Sequence, residues 1–229
     1  MFGELLALFF PRWCVACERL VAYHEHELCT RCLVSLPHTD YHLRQDNPVI
    51  RRFYGHLPIH HATALYHFTK PGPVQRLLYQ AKYQRRPRVL TRLGTYYGTL
   101  LRQVPAYRRV EVVVPVPLHR RRLQARGYNQ SAWFARGLAA SLHVPCHDAW
   151  LVRRVDTPSQ TAKSGRDRWR NVQGAFQHAP LADLQGRRLL LVDDLITTGA
   201  TLHACAQVLL AGGARTVSLV ALAYGTLTS

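Results

Sequence analysis

Residues 189–202 read Leu189-Leu190-Leu191-Val192-Asp193-Asp194-Leu195-Ile196-Thr197-Thr198-Gly199-Ala200-Thr201-Leu202. Four consecutive apolar residues are the mark of a short parallel strand buried on both faces. Two carboxylates, Asp193 and Asp194, are expected at its end. A small-residue loop rich in hydroxyls (Thr197 to Thr201) follows, and apolar periodicity from about Leu202 to Leu210 predicts a helix. In open α/β sheets ligands bind at the carboxyl ends of strands, and the free N–H groups at a helix N-terminus attract anions. Threonine hydroxyls add donors for phosphate oxygens, and Gly199 permits close backbone approach. Paired carboxylates suit vicinal hydroxyls such as those of a ribose. The stretch describes a site for a sugar carrying a 5′-phosphate.

The pattern of strand, Asp-Asp, Thr-Thr-Gly-x-Thr and helix resembles the 5-phosphoribosyl-1-pyrophosphate (PRPP) loop of type I phosphoribosyltransferases. A Walker-type phosphate loop is excluded, because no Gly-Lys-Thr or Gly-Lys-Ser follows.

Around this motif the chain alternates between strand and helix patterns. Strands are expected at 62–68, 110–116, 149–153 and 216–223, with helices at 73–82, 89–104 and 129–142. That order argues for an α/β fold with a doubly wound, mainly parallel sheet. Residues 117–131 follow the strand at 110–116 and carry Arg120, Arg121, Arg122 and Arg126 before Gly127. They read as a basic loop facing the phosphate loop, with Arg122, Arg126 and Asn129 turned inward, since guanidinium forks bind pyrophosphate oxygens bidentately.

Four of the six cysteines fall as Cys14-x-x-Cys17 and Cys29-x-x-Cys32. Two such turns complete a tetrahedral thiolate site for zinc, and so short a segment needs a metal to fold. His24 and His26 lie between the pairs and could substitute as ligands, but with four thiolates available they are expected at the surface. Cys146 and Cys205 show no partner pattern. The division expected is a zinc ribbon at 1–45 and a transferase-like domain at 46–229, split into 46–105 and a PRPP-binding core at 106–229.

The 229 residues include 30 Lys and Arg against 13 Asp and Glu, a net charge of +17. A field of that sign concentrates polyanions, nucleic acid foremost. Arg51-Arg52 and Arg85-Arg86 are read as the nucleic-acid side, away from the phosphate loop. Met1 to Phe10 is apolar but lacks a basic lead and a small-residue cleavage site, so it reads as a docking helix. No stretch approaches 18 apolar residues, so no span is expected and the protein is expected to be cytoplasmic.

Residues 112–131, Thr157 to Lys163 and Arg170 to Phe176 narrow the resemblance to the ComF (ComFC, GntX) family. The resemblance extends over nearly the whole chain, four-cysteine zinc ribbon included. The family's Arg-Gly-Phe-Asn-Gln appears as Arg126-Gly127-Tyr128-Asn129-Gln130. By motif match, the resemblance implies that Asp193 and Asp194 hold ribose hydroxyls while Thr197, Thr198, Gly199, Ala200 and Thr201 hold the 5′-phosphate. It implies Mg²⁺ with PRPP, and a role in natural transformation through single-stranded DNA, with a competence helicase or another DNA-processing protein as partner. A loop over 156–170 would close on PRPP and exclude water, with Gln160, Lys163 and Arg166 meeting the pyrophosphate. Asp193, Asp194, Gln160 and Lys163 are the catalytic candidates. Thr197 stands where transferases for 6-oxopurines place a carboxylate, which argues against that chemistry. Three readings stay open: a transferase with an unidentified acceptor, a PRPP sensor without chemistry, and a DNA-handling factor.

Overall fold

The computed structural model describes residues 12–22, 25, 27–84, 86–155 and 174–225. Chain order runs α1 (Thr30–Ser35), β1 (Ile59–His67), α2 (Pro73–Tyr83), α3 (Arg88–Leu101), α4 (Pro105–Arg108), β2 (Val112–Pro115), α5 (Arg120–Arg126) and α6 (Gln130–Leu142). It continues with β3 (Leu151–Arg153), β4 (Phe176–His178), β5 (Arg188–Ile196), α7 (Ala200–Ala211) and β6 (Thr216–Tyr224). Strands β1, β6, β5 and β2 lie side by side in that order, all parallel.

The run Leu189 to Val192 is apolar throughout because both faces of β5 are covered. Leu190 and Val192 face a core shared with α2, α3 and α6, while Leu189 and Leu191 face one shared with α7 and the turns at 41–43 and 50–53. Helices on both faces make the sheet doubly wound. Helices α3 and α6 touch backbone to backbone. A Cβ at Gly94 would sit 2.2 Å from the Phe134 carbonyl oxygen, and one at Gly137 would sit 2.1 Å from that of Thr91. Only glycine allows this approach.

Three expectations require correction. The strand expected at 149–153 is β3, which leaves the parallel sheet and pairs antiparallel with β4. The sheet edge beyond β2 is taken instead by residues 145–147: Val113 N–H donates to Pro145 and His147 N–H donates to Val113. The basic stretch after β2 is a helix, α5, not a loop. His119 caps its first turn and Gly127, at φ 80°, ends it. Lastly, Asp193 and Asp194 lie within β5, which runs on to Ile196 because β6 pairs with it as far as Tyr224.

Among the described residues, the buried side chains of the cysteine-rich segment belong to the core of the sheet. Cys14, Val15, Ala16 and Leu28 are buried in one cluster with Leu77, Leu78, Val89 and Leu93. Arg76 Nε donates to the Ala16 carbonyl at 2.9 Å, and the Glu27 carboxylate accepts the Val89 N–H at 2.9 Å in the first turn of α3. A carboxylate there also complements the helix dipole. Packing between this segment and helices α2 and α3 is therefore continuous. No helix among the described residues is long and apolar enough to cross a membrane.

Candidate functional site

β2 stops at Pro115, whose partner is Val192, and Val116 N–H closes the ladder on the Val192 carbonyl at 2.8 Å. The prolines at 115 and 117 lack the donors to continue it. β5 therefore outruns β2 by the four residues Asp193 to Ile196. Beyond this point β2 leads through α6 to residues 145–147 on one side, and β5 leads through α7 to β6 on the other. A crevice opens where the winding reverses, which is where doubly wound sheets bind ligands. Asp193 and Asp194 lie on its wall.

Asp194 pairs with a residue the sequence reading did not single out. Lys82, at the end of α2, places Nζ 2.6 Å from Asp194 Oδ2, and neither side chain is more than about a fifth exposed. Burial pushes the Asp194 carboxyl upward, but the Lys82 charge and hydrogen bond, helped by Arg126, more than offset this and hold it below the usual carboxylate range. The Asp194 charge in turn raises Lys82. Asp193, 8% exposed, accepts from Ser131 Oγ at 3.0 Å and from the Asp194 N–H at 2.9 Å. Burial, and then the adjacent Asp194 charge, push Asp193 up to about 7. One carboxylate is thus ionised and the other titrates near neutrality, as expected when burial penalises two like charges side by side.

The phosphate-type loop closes the end of β5. Gly199 sits at φ 82°, and a Cβ there would lie 3.1 Å from the Phe53 ring, so conformation and contact both favour glycine. Thr198 Oγ1 accepts the Ala200 N–H at 3.4 Å, tying the loop into the first turn of α7. Thr201 falls inside that turn rather than in the loop.

Across the crevice, Arg120 and Arg121 on α5 are exposed, whereas Arg122 and Arg126 are half-buried. Arg126 donates to Gln130 Oε1 at 3.2 Å and lies 6.0 Å from the Tyr83 ring centre. The Gln130 amide nitrogen is buried without a hydrogen-bond partner among the described residues. Asn129, expected to turn inward toward the ligand, is engaged structurally at both ends. Its Oδ1 accepts the Ser131 N–H at 3.1 Å as the cap of α6, and its Nδ2 donates to the Val116 carbonyl at 2.9 Å. It fastens the end of β2 to the start of α6. Gln160, Lys163, Arg166 and the segment proposed to close over the site lie outside the described residues, as do Met1 to Phe10, His24, His26 and Arg85.

The basic pairs read as a remote nucleic-acid face are otherwise disposed. Arg51 pairs with Asp46, and Arg86 donates to the Trp13 carbonyl at 3.0 Å. Arg52 reaches Tyr224 Oη at 3.2 Å, at the end of β6 beside Ile196. With Phe53 under Gly199, the Arg51-Arg52 pair borders the phosphate loop instead of lying far from it.

A second site lies in the N-terminal segment. The sulfurs of Cys14, Cys17, Cys29 and Cys32 all lie within 4.8 Å of one another, with Cys17 and Cys29 3.9 Å apart. Tetrahedral bonds of about 2.3 Å place sulfurs roughly 3.8 Å apart. Backbone N–H groups already point at these sulfurs, Cys29 toward Cys14 at 3.5 Å and Cys32 toward Cys29 at 3.4 Å. Four such groups could hold a metal. Cys146 and Cys205 stand apart from them, and Cys205 is fully buried against α7 neighbours.

Comparison with known proteins agrees with this architecture. The phosphoribosyl transferase domain family matches residues 129–226, which span the crevice from α6 to the end of β6. The "DNA utilization protein YhgH" of Escherichia coli O157:H7 is 32% identical over 209 residues, covering 90% of this chain and 87% of that protein. "Competence protein F" of Haemophilus influenzae is 37% identical over 100 residues, 43% of this chain and 44% of that protein. Among solved structures, the glutamine PRPP amidotransferase of B. subtilis complexed with ADP and GMP is similar at a TM-score of 0.42 and 22% identity, over 62% of this chain and 30% of that one. With its crevice, its four clustered cysteines and a relative matched almost end to end, this chain belongs to the ComF family and has the type I phosphoribosyltransferase fold.

Proposed function

We propose that this chain is a PRPP-binding, phosphoribosyltransferase-like protein that acts in DNA uptake, handling single-stranded DNA together with a DNA-processing partner such as a competence helicase. The observation that carries the PRPP reading is the juxtaposition, at one switch point, of a buried carboxylate pair, a threonine-rich loop entering a helix, and the half-buried Arg122 and Arg126. Asp193 and Asp194 would accept from the ribose hydroxyls, and Thr197 to Thr201 would donate to the 5′-phosphate. Arg122 and Arg126 would bind the pyrophosphate bidentately. Mg²⁺ would accompany PRPP and neutralise part of its charge. Gln160 and Lys163 complete the reading as residues that meet the pyrophosphate. Zinc is the metal proposed for Cys14, Cys17, Cys29 and Cys32, since four thiolates in a tetrahedral arrangement suit it. The uptake role rests on the names carried by the relatives and on the +17 charge.

Calorimetry should find PRPP binding that requires Mg²⁺. Thr198→Val removes a hydroxyl donor and Asp194→Asn removes a charged acceptor. Each charge-assisted bond lost is worth roughly 1.5–3 kcal/mol, so each variant should lose about one to two decades of affinity. Wild-type affinity in both variants would refute the site. Because Asp194→Asn also strips Lys82 of its partner, the Thr198 variant is the cleaner of the two.

A further inference from the structure

The edge of the sheet opposite the crevice carries a second set of basic side chains, three of them arginines. All four strands are parallel, so their amino ends share one edge, and each contributes there. In sheet order these are His60 on β1, Arg215 just before β6, Arg188 at the start of β5, and Arg109 shortly before β2. They line a cavity of about 190 Å³ between α4 and the strand ends. A second cavity of about 380 Å³ adjoins it, sharing His60, Ala106 and Arg109, and carries Arg44 and His61 on its far wall. Together the two make one groove along the sheet edge, with cationic side chains from Arg44 to Arg215.

These side chains are disposed as binding groups. Arg44, Arg109 and Arg215 are exposed, and their guanidinium groups have no hydrogen-bond or ion-pair partner among the described residues. Arg188 is offset in part by Glu111, 3.5 Å away. Adjacent strands are about 4.8 Å apart, so a four-strand row covers about 15 Å. A nucleic-acid strand repeats its charge about every 3.4 Å along the helix axis. The strand pitch does not match that repeat one for one, but long arginine side chains along a row of about 15 Å can reach several phosphates of one strand.

The geometry points to this amino-edge groove as the seat of the phosphate backbone of single-stranded nucleic acid, separate from the crevice. The inference rests on the DNA-handling reading above and assigns it a surface. Asp193 on the crevice wall stands five residues beyond Arg188 along β5, so about 17 Å of strand separates groove from crevice. DNA and PRPP can therefore be held at once, at opposite ends of the same strands.

The test is fluorescence-anisotropy binding of an oligothymidine strand to the full chain across a salt series, with PRPP calorimetry on the same preparations. For three unpaired arginines on a single strand, log K should fall with log salt at a slope near −2 from this groove alone. Arg109→Gln with Arg215→Gln should lower the slope by about 1.4 and weaken binding about 25-fold at 0.1 M salt. Arg109→Glu with Arg215→Glu should weaken it further. Both doubles should keep wild-type PRPP affinity, which also reports that the sheet is intact. If wild type binds the strand and both doubles bind it equally well, the groove assignment is wrong while the DNA reading stands. If wild type binds no strand at low salt, the DNA reading itself fails and the groove assignment falls with it.

Discussion

Protein purified without added metal is expected to carry about one equivalent of zinc, and stripping it should cause the largest loss of order in the molecule. Zinc binding contributes about 10–16 kcal/mol of folding free energy in isolated zinc-finger peptides at neutral pH. The segment around Cys14 to Cys32 buries little of its own, and four uncompensated thiols would be left packed together. The loss should travel in a stated direction. Glu27 holds the Val89 N–H in the first turn of α3, and Val15, Ala16 and Leu28 cover Leu77 and Leu93. Chelation, or Cys14→Ser, should therefore remove hydrogen-exchange protection from residues 12–36 and from the first turn of α3. The amides of β5 and β6, whose ladders lie in the centre of the sheet, should stay protected. Metal content well below one equivalent with those first segments still protected would show that the four cysteines are not a metal centre.

The second large effect is expected at the Lys82–Asp194 pair. Removing one member of a buried ion pair typically costs about 3–5 kcal/mol, because the other charge is left uncompensated. Lys82→Met should destabilise the protein by that order, and the cost should depend on pH with a definite sign. Lys82 holds Asp194 below the ordinary carboxylate range, so the pair's stabilisation is present above the unfolded carboxylate pKa and fades as pH falls through the folded one. The deficit of Lys82→Met should accordingly be larger at pH 8 than at pH 5, where the orphaned carboxyl can take a proton. Asp193 acts in the opposite sense. Its folded value is raised to about 7, so the native chain holds a proton that the unfolded chain has released between about pH 4 and 7. Asp193→Asn should therefore flatten a decline in wild-type stability over that window. Denaturant titrations at pH 5, 6.5 and 8 on the three proteins would check both signs. A Lys82→Met deficit that does not change with pH would mean that the ion pair is not what holds the crevice wall.

The same pair marks where sequence reading stopped. Lys82 stands 112 positions from Asp194, in an Ala-Lys-Tyr context that could close any amphipathic helix. Nothing local distinguishes it. Only the packing of α2 over the carboxyl end of β5 turns an ordinary lysine into the counter-ion of the site. The Arg52 and Phe53 segment is a similar case, since it reaches the phosphate loop only through the turn that packs the 50–53 segment beneath Gly199. Asn129 was legible as a residue of interest, but its two hydrogen bonds give it a structural role that residue type alone could not disclose.

Local chemistry determined a good deal without help. An apolar run, a carboxylate pair and a glycine at the turn required a buried strand, an acceptor pair and a left-handed residue before α7, and each is a short-range demand of backbone or solvation. Paired Cys-x-x-Cys turns likewise converge because each turn is local and the distance between them is short. What depended on distant residues was decided by tertiary structure alone. The length of β5 past β2 is set by where β6 continues and the prolines interrupt. The ionisation of Asp193 is set by burial and by Asp194, and that of Asp194 by burial and a lysine from another layer. The amino-edge groove exists only because four parallel strands bring His60, Arg109, Arg188 and Arg215 to one edge. Sequence records how many charges a chain carries, but strand order places them side by side.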